Sequence, residues 1–168
     1  MNLELHTERL LIKPIALDDA AFMLELVNTP GWLRFIGDRN VKDLKGAQGY
    51  IKALQENDSI YYHSVSLRNT NQPVGVVTFL KRENEEHPDF GFAFLPQYHG
   101  RGLAKEASTA FLEGLKKRSS FVQLLGITLA DNVNSINLLK RLGFGFLREV
   151  KRQEETLHYY TYPQHEKN

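Results

Sequence analysis

The chain contains no cysteine. That absence removes disulfides, thiolate metal sites and any mechanism that passes through a cysteine nucleophile. Long apolar runs are missing too: nothing approaches the roughly 20 residues needed to cross a bilayer, and the opening MNLELHTERLLIKPI carries Glu4 and Glu8 where a secretory signal would be apolar. A cytoplasmic protein is expected. Nor does one sign of charge dominate, since 21 Lys and Arg stand against 20 Asp and Glu, for a net charge of +1. A nucleic-acid partner therefore gains no support from charge, and the short basic patches LKKRSS and LLKRLG fall on separate expected helices as solvated faces. There is no internal repeat or low-complexity stretch, and only the tail PQHEKN reads as loose. What is present is globular: 168 residues, 42% apolar and 24% charged. This predicts a single domain over residues 1–168, with its core at 8–163.

Periodicity predicts the elements in order. Residues 9–15 alternate as a strand, and Asp18 can cap a helix that aligns Phe22, Met23 and Leu26 before stopping near NTPGW. A second helix after Asp43 carries Ala47, Ile51 and Leu54 inward. IYYHSVSLRN and VGVVTFLKRE form an antiparallel hairpin, and DFGFAFL a further strand. Ala104, Ala107, Ser108, Phe111, Leu112 and Leu115 recur at helical spacing. VQLLGITLA is a buried strand, and DNVNSINLLKRLG a helix capped by Asp131 or Asn132 and ended by Gly143. A last hairpin turns near Gln153 to Glu155. The expected class is α/β (α+β): a mixed, mostly antiparallel sheet of about seven strands with four helices.

The chemistry concentrates at FAFLPQYHGRGLAKEAS, where Gly100 and Gly102 sit between a strand and a helix. A dinucleotide fingerprint would need glycine or alanine where Lys105 stands, and a nucleoside-triphosphate loop would need Gly-Lys-Ser/Thr, which occurs nowhere in the chain. What remains is Gln97-x-x-Gly100-x-Gly102 running into a helix. Amides with no side chains in the way, backed by a helix N-terminus, suit an anion. The dipole contributes roughly 0.3–1 kcal/mol, so several N–H groups must converge.

In these residues the chain resembles the GNAT N-acetyltransferases, whose coenzyme A loop reads Gln/Arg-x-x-Gly-x-Gly/Ala. TERLLIKPI, WLRFIGDRNV and DNVNSINLLKRLGF extend the likeness, over some 150 residues, to the branch that includes the RimJ and RimL ribosomal-protein N-terminal acetyltransferases. The resemblance implies that strand 89–95 splays from strand 121–130 in mid-sheet to admit acetyl-coenzyme A. Pantetheine would bond the backbone of Phe92, Ala93, Phe94 and Leu95. The pyrophosphate would rest on the amides of Gln97, Tyr98, His99, Gly100, Arg101, Gly102, Leu103 and Ala104, with Arg101 and Lys105 supplying charge. Asn132 would bond the cofactor arm as well as capping its helix, and Ser135 would lie near the sulfur as the acid for the leaving group. Tyr159, Tyr160 and Tyr162 fall in a strand, where the acid tyrosine of many relatives does not lie.

Acetyl transfer needs a neutral amine. At pH 7 an α-amine of pKa near 8 pays about 1.4 kcal/mol for neutrality and a lysine near 10.4 roughly 4.6, so an α-amine can manage with a weak base. Two carboxylates are candidates: Glu154 in the last turn, which reads equally as a solvated hairpin turn, and Asp89, which equally reads as turn chemistry after His87 and Pro88. Without cysteine or a Gly-x-Ser-x-Gly elbow, direct attack in a ternary complex is expected. Trp32, Arg34 and Phe35 are the candidate acceptor wall. No metal is expected, since the histidines lack ligand spacing. The partners in view are acetyl-coenzyme A, an amine acceptor (a protein N-terminus, or an amino acid, polyamine or antibiotic) and, as an assembly, a homodimer. A sensor that binds coenzyme A without turnover is the alternative of a different class.

Overall fold

The computed structural model describes residues 1–118 and 123–163. Residues 121 and 122 of one expected strand, the last two of LKKRSS and the last five of the tail lie outside the described residues. Among the described residues eight strands form one sheet in the order β1-β2-β3-β4-β5-β6-β8-β7. They are β1 (Leu5–His6), β2 (Leu10–Pro14), β3 (Ile60–Leu67), β4 (Pro73–Leu80), β5 (Asp89–Phe94), β6 (Leu124–Leu129), β7 (Gly145–Arg152) and β8 (Glu155–Tyr162). All neighbours are antiparallel except β5 and β6. The short β1 is one strand more than sequence periodicity predicts, because two residues are too few to show a period.

Five α-helices among the described residues cover the sheet: α1 (Ala20–Val27), α2 (Pro30–Phe35), α3 (Leu44–Gln55), α4 (Leu103–Arg118) and α5 (Val133–Arg141). The additional helix is α2, where NTPGW ends one helix and at once begins another. Thr29 Oγ1 accepts from the Trp32 amide at 3.4 Å, and Pro30 occupies the first helical position, where its missing N–H costs nothing. Asp18 does not cap α1: it sits in a 3-10 turn over Leu17–Asp19, and Asp19 instead accepts from the Ala16 amide at 2.9 Å. Asp43 caps α3 through the Gly46 amide at 2.7 Å, as its spacing predicts.

Two apolar layers sandwich the sheet. Phe90, Phe94 and Val77 face α4, where they meet Phe111, Leu112 and Leu115, while Val76 and Leu95 face α1 and α3, among Met23, Leu26 and Ile51. Burying one such side chain contributes roughly 1.5–3 kcal/mol. Strand alternation makes the two layers from one set of strands: even-numbered residues of β5 turn to α4 and odd-numbered ones to α1 and α3. Each face of the sheet's middle is thereby committed to one group of helices.

Candidate functional site

The loop between β5 and α4 begins with a single 3-10 turn at Pro96–Tyr98 and ends at the helix. Gly100 and Gly102 both adopt φ +75°, a left-handed conformation that side chains disfavour. A Cβ on Gly100 would meet nothing within 4 Å, so that surface is open, whereas one on Gly102 would come 3.5 Å from Arg9 Nη2. Among the described residues, no amide from Gly100 to Lys105 donates to a protein group. Successive N–H groups at the mouth of a 16-residue helix therefore remain for an anion. The loop is braced from behind. Arg9 Nη1 donates to the Arg101 carbonyl at 2.9 Å, while its Nε donates to Glu106 at 2.7 Å, and Thr7 donates to the same carboxylate at 2.6 Å. Glu106 is held ionised by these partners, against the opposing pull of burial. Arg101 lies over the Tyr98 ring, 5.4 Å from its centroid, and Gln97 reaches back to Glu25 on α1 at 3.0 Å.

Beside the loop the sheet opens. Among the described residues, parallel strands β5 and β6 pair only at Asp89 and Leu125, supported by the Leu125 amide on the Pro88 carbonyl at 2.8 Å. Beyond that vertex Gly91, Phe92 and Ala93 are only half-buried although they lie in mid-sheet, and so are Ile127 and Thr128 opposite. Antiparallel alternation with β4 spends the amide and carbonyl of Ala93 on Val76, and the Leu95 amide on Val74 at 2.9 Å. Phe92 and Phe94 turn theirs to the gap. The Phe94 carbonyl accepts from His99 Nε2 at 2.8 Å. At the gap's far side Asn132 caps α5, its side-chain oxygen accepting from the Ser135 amide at 3.4 Å, and half-buried Ser135 occupies the helix's first turn. The structure thus selects Asn132 over Asp131 as the cap. Asp131 instead pairs with Arg34 of α2.

Strand alternation places Asp89 on the face of the sheet toward α1 and α3, at the vertex of the gap. It is 4% exposed, and Arg82 holds its Oδ2 through Nε at 3.0 Å and Nη2 at 2.7 Å. Burial outweighs the arginine and pushes its pKa up to about 6, with the nearby Ile127 amide acting in the other direction. Oδ1 is buried, and that amide does not reach it in hydrogen-bond geometry. On the same face lies a second polar group that local spacing does not reveal. Glu85, from the loop between β4 and β5, reaches across to β8 and accepts from the Tyr159 hydroxyl at 2.8 Å and from Arg148 of β7 at 3.2 Å. Arg152 Nη2 donates to the same hydroxyl at 3.2 Å and lies 3.9 Å from Glu85. Burial, then the Glu85 bond, raises the Tyr159 pKa.

The remaining candidates separate. Glu154 is exposed in the turn between β7 and β8, next to Gln153 with its φ of +55°. Trp32 is 3% exposed within the α1–α3 layer, its Nε1 without a partner among the described residues, while Arg34 is exposed and stacks on Phe35 at 5.3 Å. No metal-binding group of His, Asp and Glu occurs among the described residues, and none of their helices is long and apolar enough to cross a membrane.

A family model described as the acetyltransferase (GNAT) domain matches residues 9–145. An uncharacterized N-acetyltransferase of Bacillus subtilis, YnaD, is 24% identical over 150 residues, covering 88% of this chain and 87% of that protein. Among solved structures, a GNAT-family acetyltransferase from Bacillus anthracis superposes with a TM-score of 0.79 at 20% identity, covering 95% of this chain and 97% of its own. A ribosomal-protein-S5-alanine acetyltransferase from Vibrio fischeri does so with a TM-score of 0.80 at 16% identity, covering 95% and 96%.

Proposed function

The chain belongs to the GNAT acetyltransferase family and is an acyltransferase, and from that premise we propose that it acetylates the α-amine of a protein N-terminus by direct attack in a ternary complex with acetyl-coenzyme A. The observation that carries this reading is the run of unpartnered amides from Gly100 to Lys105 opening onto the gap between β5 and β6. A diphosphate fits the first and an extended amide-bearing arm fits the second. Arg101 and Lys105 offset the diphosphate charge, Phe92 and Phe94 offer backbone groups to the arm, and Asn132 meets it from α5. When bound, acetyl-coenzyme A supplies an activated acyl carbon and a thiol leaving group.

The chain's own residues then have proton work to do. Asp89 stands at the vertex with a pKa of about 6, ionised at neutral pH and basic enough to take the proton an attacking α-amine must lose. As the amine displaces the thiol, Ser135 would donate its hydroxyl proton to the leaving sulfur and recover one from solvent, while the proton taken up by Asp89 returns to water. An α-amine fits this weak base better than lysine does, by roughly 3 kcal/mol at pH 7. The likeness to a ribosomal-protein acetyltransferase points toward the same acceptor class.

Calorimetric titration with acetyl-coenzyme A, then thiol release against peptides, lysine, polyamines and aminoglycosides, tests the reading. Micromolar binding with release on peptide α-amines is expected. Release only on small amines would replace the acceptor, binding with no release on any amine would leave a sensor, and no binding would remove the donor site.

A further inference from the structure

Resting on the N-terminal reading above, we propose that the Arg148–Arg152 pair on β7, braced by Glu85 and Tyr159, is an anion subsite that selects acceptor N-termini with an acidic side chain at the second or third position. The two guanidinium groups converge on one carboxylate. Arg148 stacks 4.3 Å over the Tyr159 ring and bonds Glu85, while Arg152 bonds the neutral Tyr159 hydroxyl and only approaches Glu85. Glu85 is 8% exposed, against 49% for Arg148 and 61% for Arg152. The carboxylate is spent beneath the arginines, and their outer N–H groups face solvent. Glu155, the cross-strand neighbour of Arg152, forms no ion pair with it among the described residues. On the same face Asp89 and Arg82 pair with each other, so within the cluster two guanidiniums share the one buried carboxylate, and Glu155 is the exposed acid beside them. Stacking and the hydroxyl bond hold the forks in place, which lowers the ordering cost of gripping a carboxylate through two N–H groups.

The position sets the register. Tyr159 pairs with Ile127 on β6, and Arg148 pairs with Tyr159, so the subsite lies one to two strands from the edge of the gap. Strand spacing makes that roughly 5–10 Å from an amine at the gap. A free amino acid's carboxylate, about one residue's reach or roughly 3.5 Å from its own amine, falls short. An acidic side chain one or two residues along an extended peptide spans it.

The test compares short peptide amides carrying aspartate or asparagine at the second or third position, together with free aspartate, as acceptors at saturating acetyl-coenzyme A. The parent protein should show a KM roughly five- to tenfold lower for the aspartate peptides at similar kcat, and this preference should shrink as salt rises. Arg148→Gln with Arg152→Gln should abolish the preference, and Arg152→Glu should reverse it. Calorimetric binding of the acetylated peptides should follow the same order, a readout independent of turnover. Equal KM values in the parent, a preference that survives the double substitution, or free aspartate outperforming the peptides would overturn the subsite. Each of those leaves peptide acetylation or donor binding intact, whereas failure of the enzyme reading itself appears as no thiol release on any amine.

Discussion

The two sides of the gap are built by different means. The side proposed for the donor, from Phe92 into the start of α4, is chiefly backbone: left-handed glycines, unpaired amides and alternating strand groups within about a dozen consecutive residues. The side proposed for the acceptor is side chains drawn from distant segments, with Asp89 and Arg82 joined by Glu85, Arg148, Arg152 and Tyr159. Backbone recognition tolerates wide change in side chains yet depends absolutely on conformation at two positions. Side-chain recognition has the opposite weakness, for any one partner can be exchanged without disturbing the strand that carries it. Donor chemistry can therefore stay constant while the acceptor changes.

The sharpest way to break that contrast is Gly102→Val. A β-branched residue is strongly disfavoured at φ +75°, and its side chain would stand in the loop near Arg9. Acetyl-coenzyme A affinity should fall by about a hundredfold or more, on the order of 3 kcal/mol, with the fold retained by circular dichroism. Unchanged affinity in the folded variant would take the diphosphate off this loop.

Asp89→Asn attacks the other side. Turnover should fall by roughly 10²–10³ with donor affinity preserved, and in the parent the rate should decline below about pH 6 as the carboxyl takes up its proton. The folded pKa lies above the unfolded value, so the stability this group contributes is present below about pH 4 and is lost as pH rises through about 6. At pH 7 the amide thus removes a buried charge, while Arg82, half-exposed, keeps its hydration. A melting temperature near the parent's would separate lost chemistry from lost fold. A larger turnover loss from Glu154→Gln would move the base to the hairpin turn.

The smallest effect expected is from Arg9→Ala, which leaves the glycines in place but frees the Arg101 carbonyl and strips Glu106 of its cation. Donor affinity should weaken by about three- to tenfold, and more at low salt, where an uncompensated Glu106 repels the diphosphate. No change in affinity would reduce this contact to packing.

Particular residues show how far the sequence could be read. Ala107, Phe111 and Leu115 mark α4 because a helix returns to its face every three to four residues, and Asp43 marks the start of α3 because a cap acts on the amide three positions on. Thr29 and Pro30 carry an equally local signal for α2, masked by the glycine that follows them. Arg9 and Glu106 meet across 97 residues, and nothing in either neighbourhood names the other.

The sequence alone determined the family, most of the elements in their order and the glycine loop between β5 and α4, because each is written in short-range spacing that the backbone converts directly into geometry. Only the tertiary structure decided which side chains share the face proposed for the acceptor. It put Asp89 at the vertex rather than in an open turn, left Glu154 in solvent, and drew Glu85 over Tyr159. Alternation along a strand tells which residues share a face, but the order of strands in the sheet and the path of the connecting loops fix what that face looks upon.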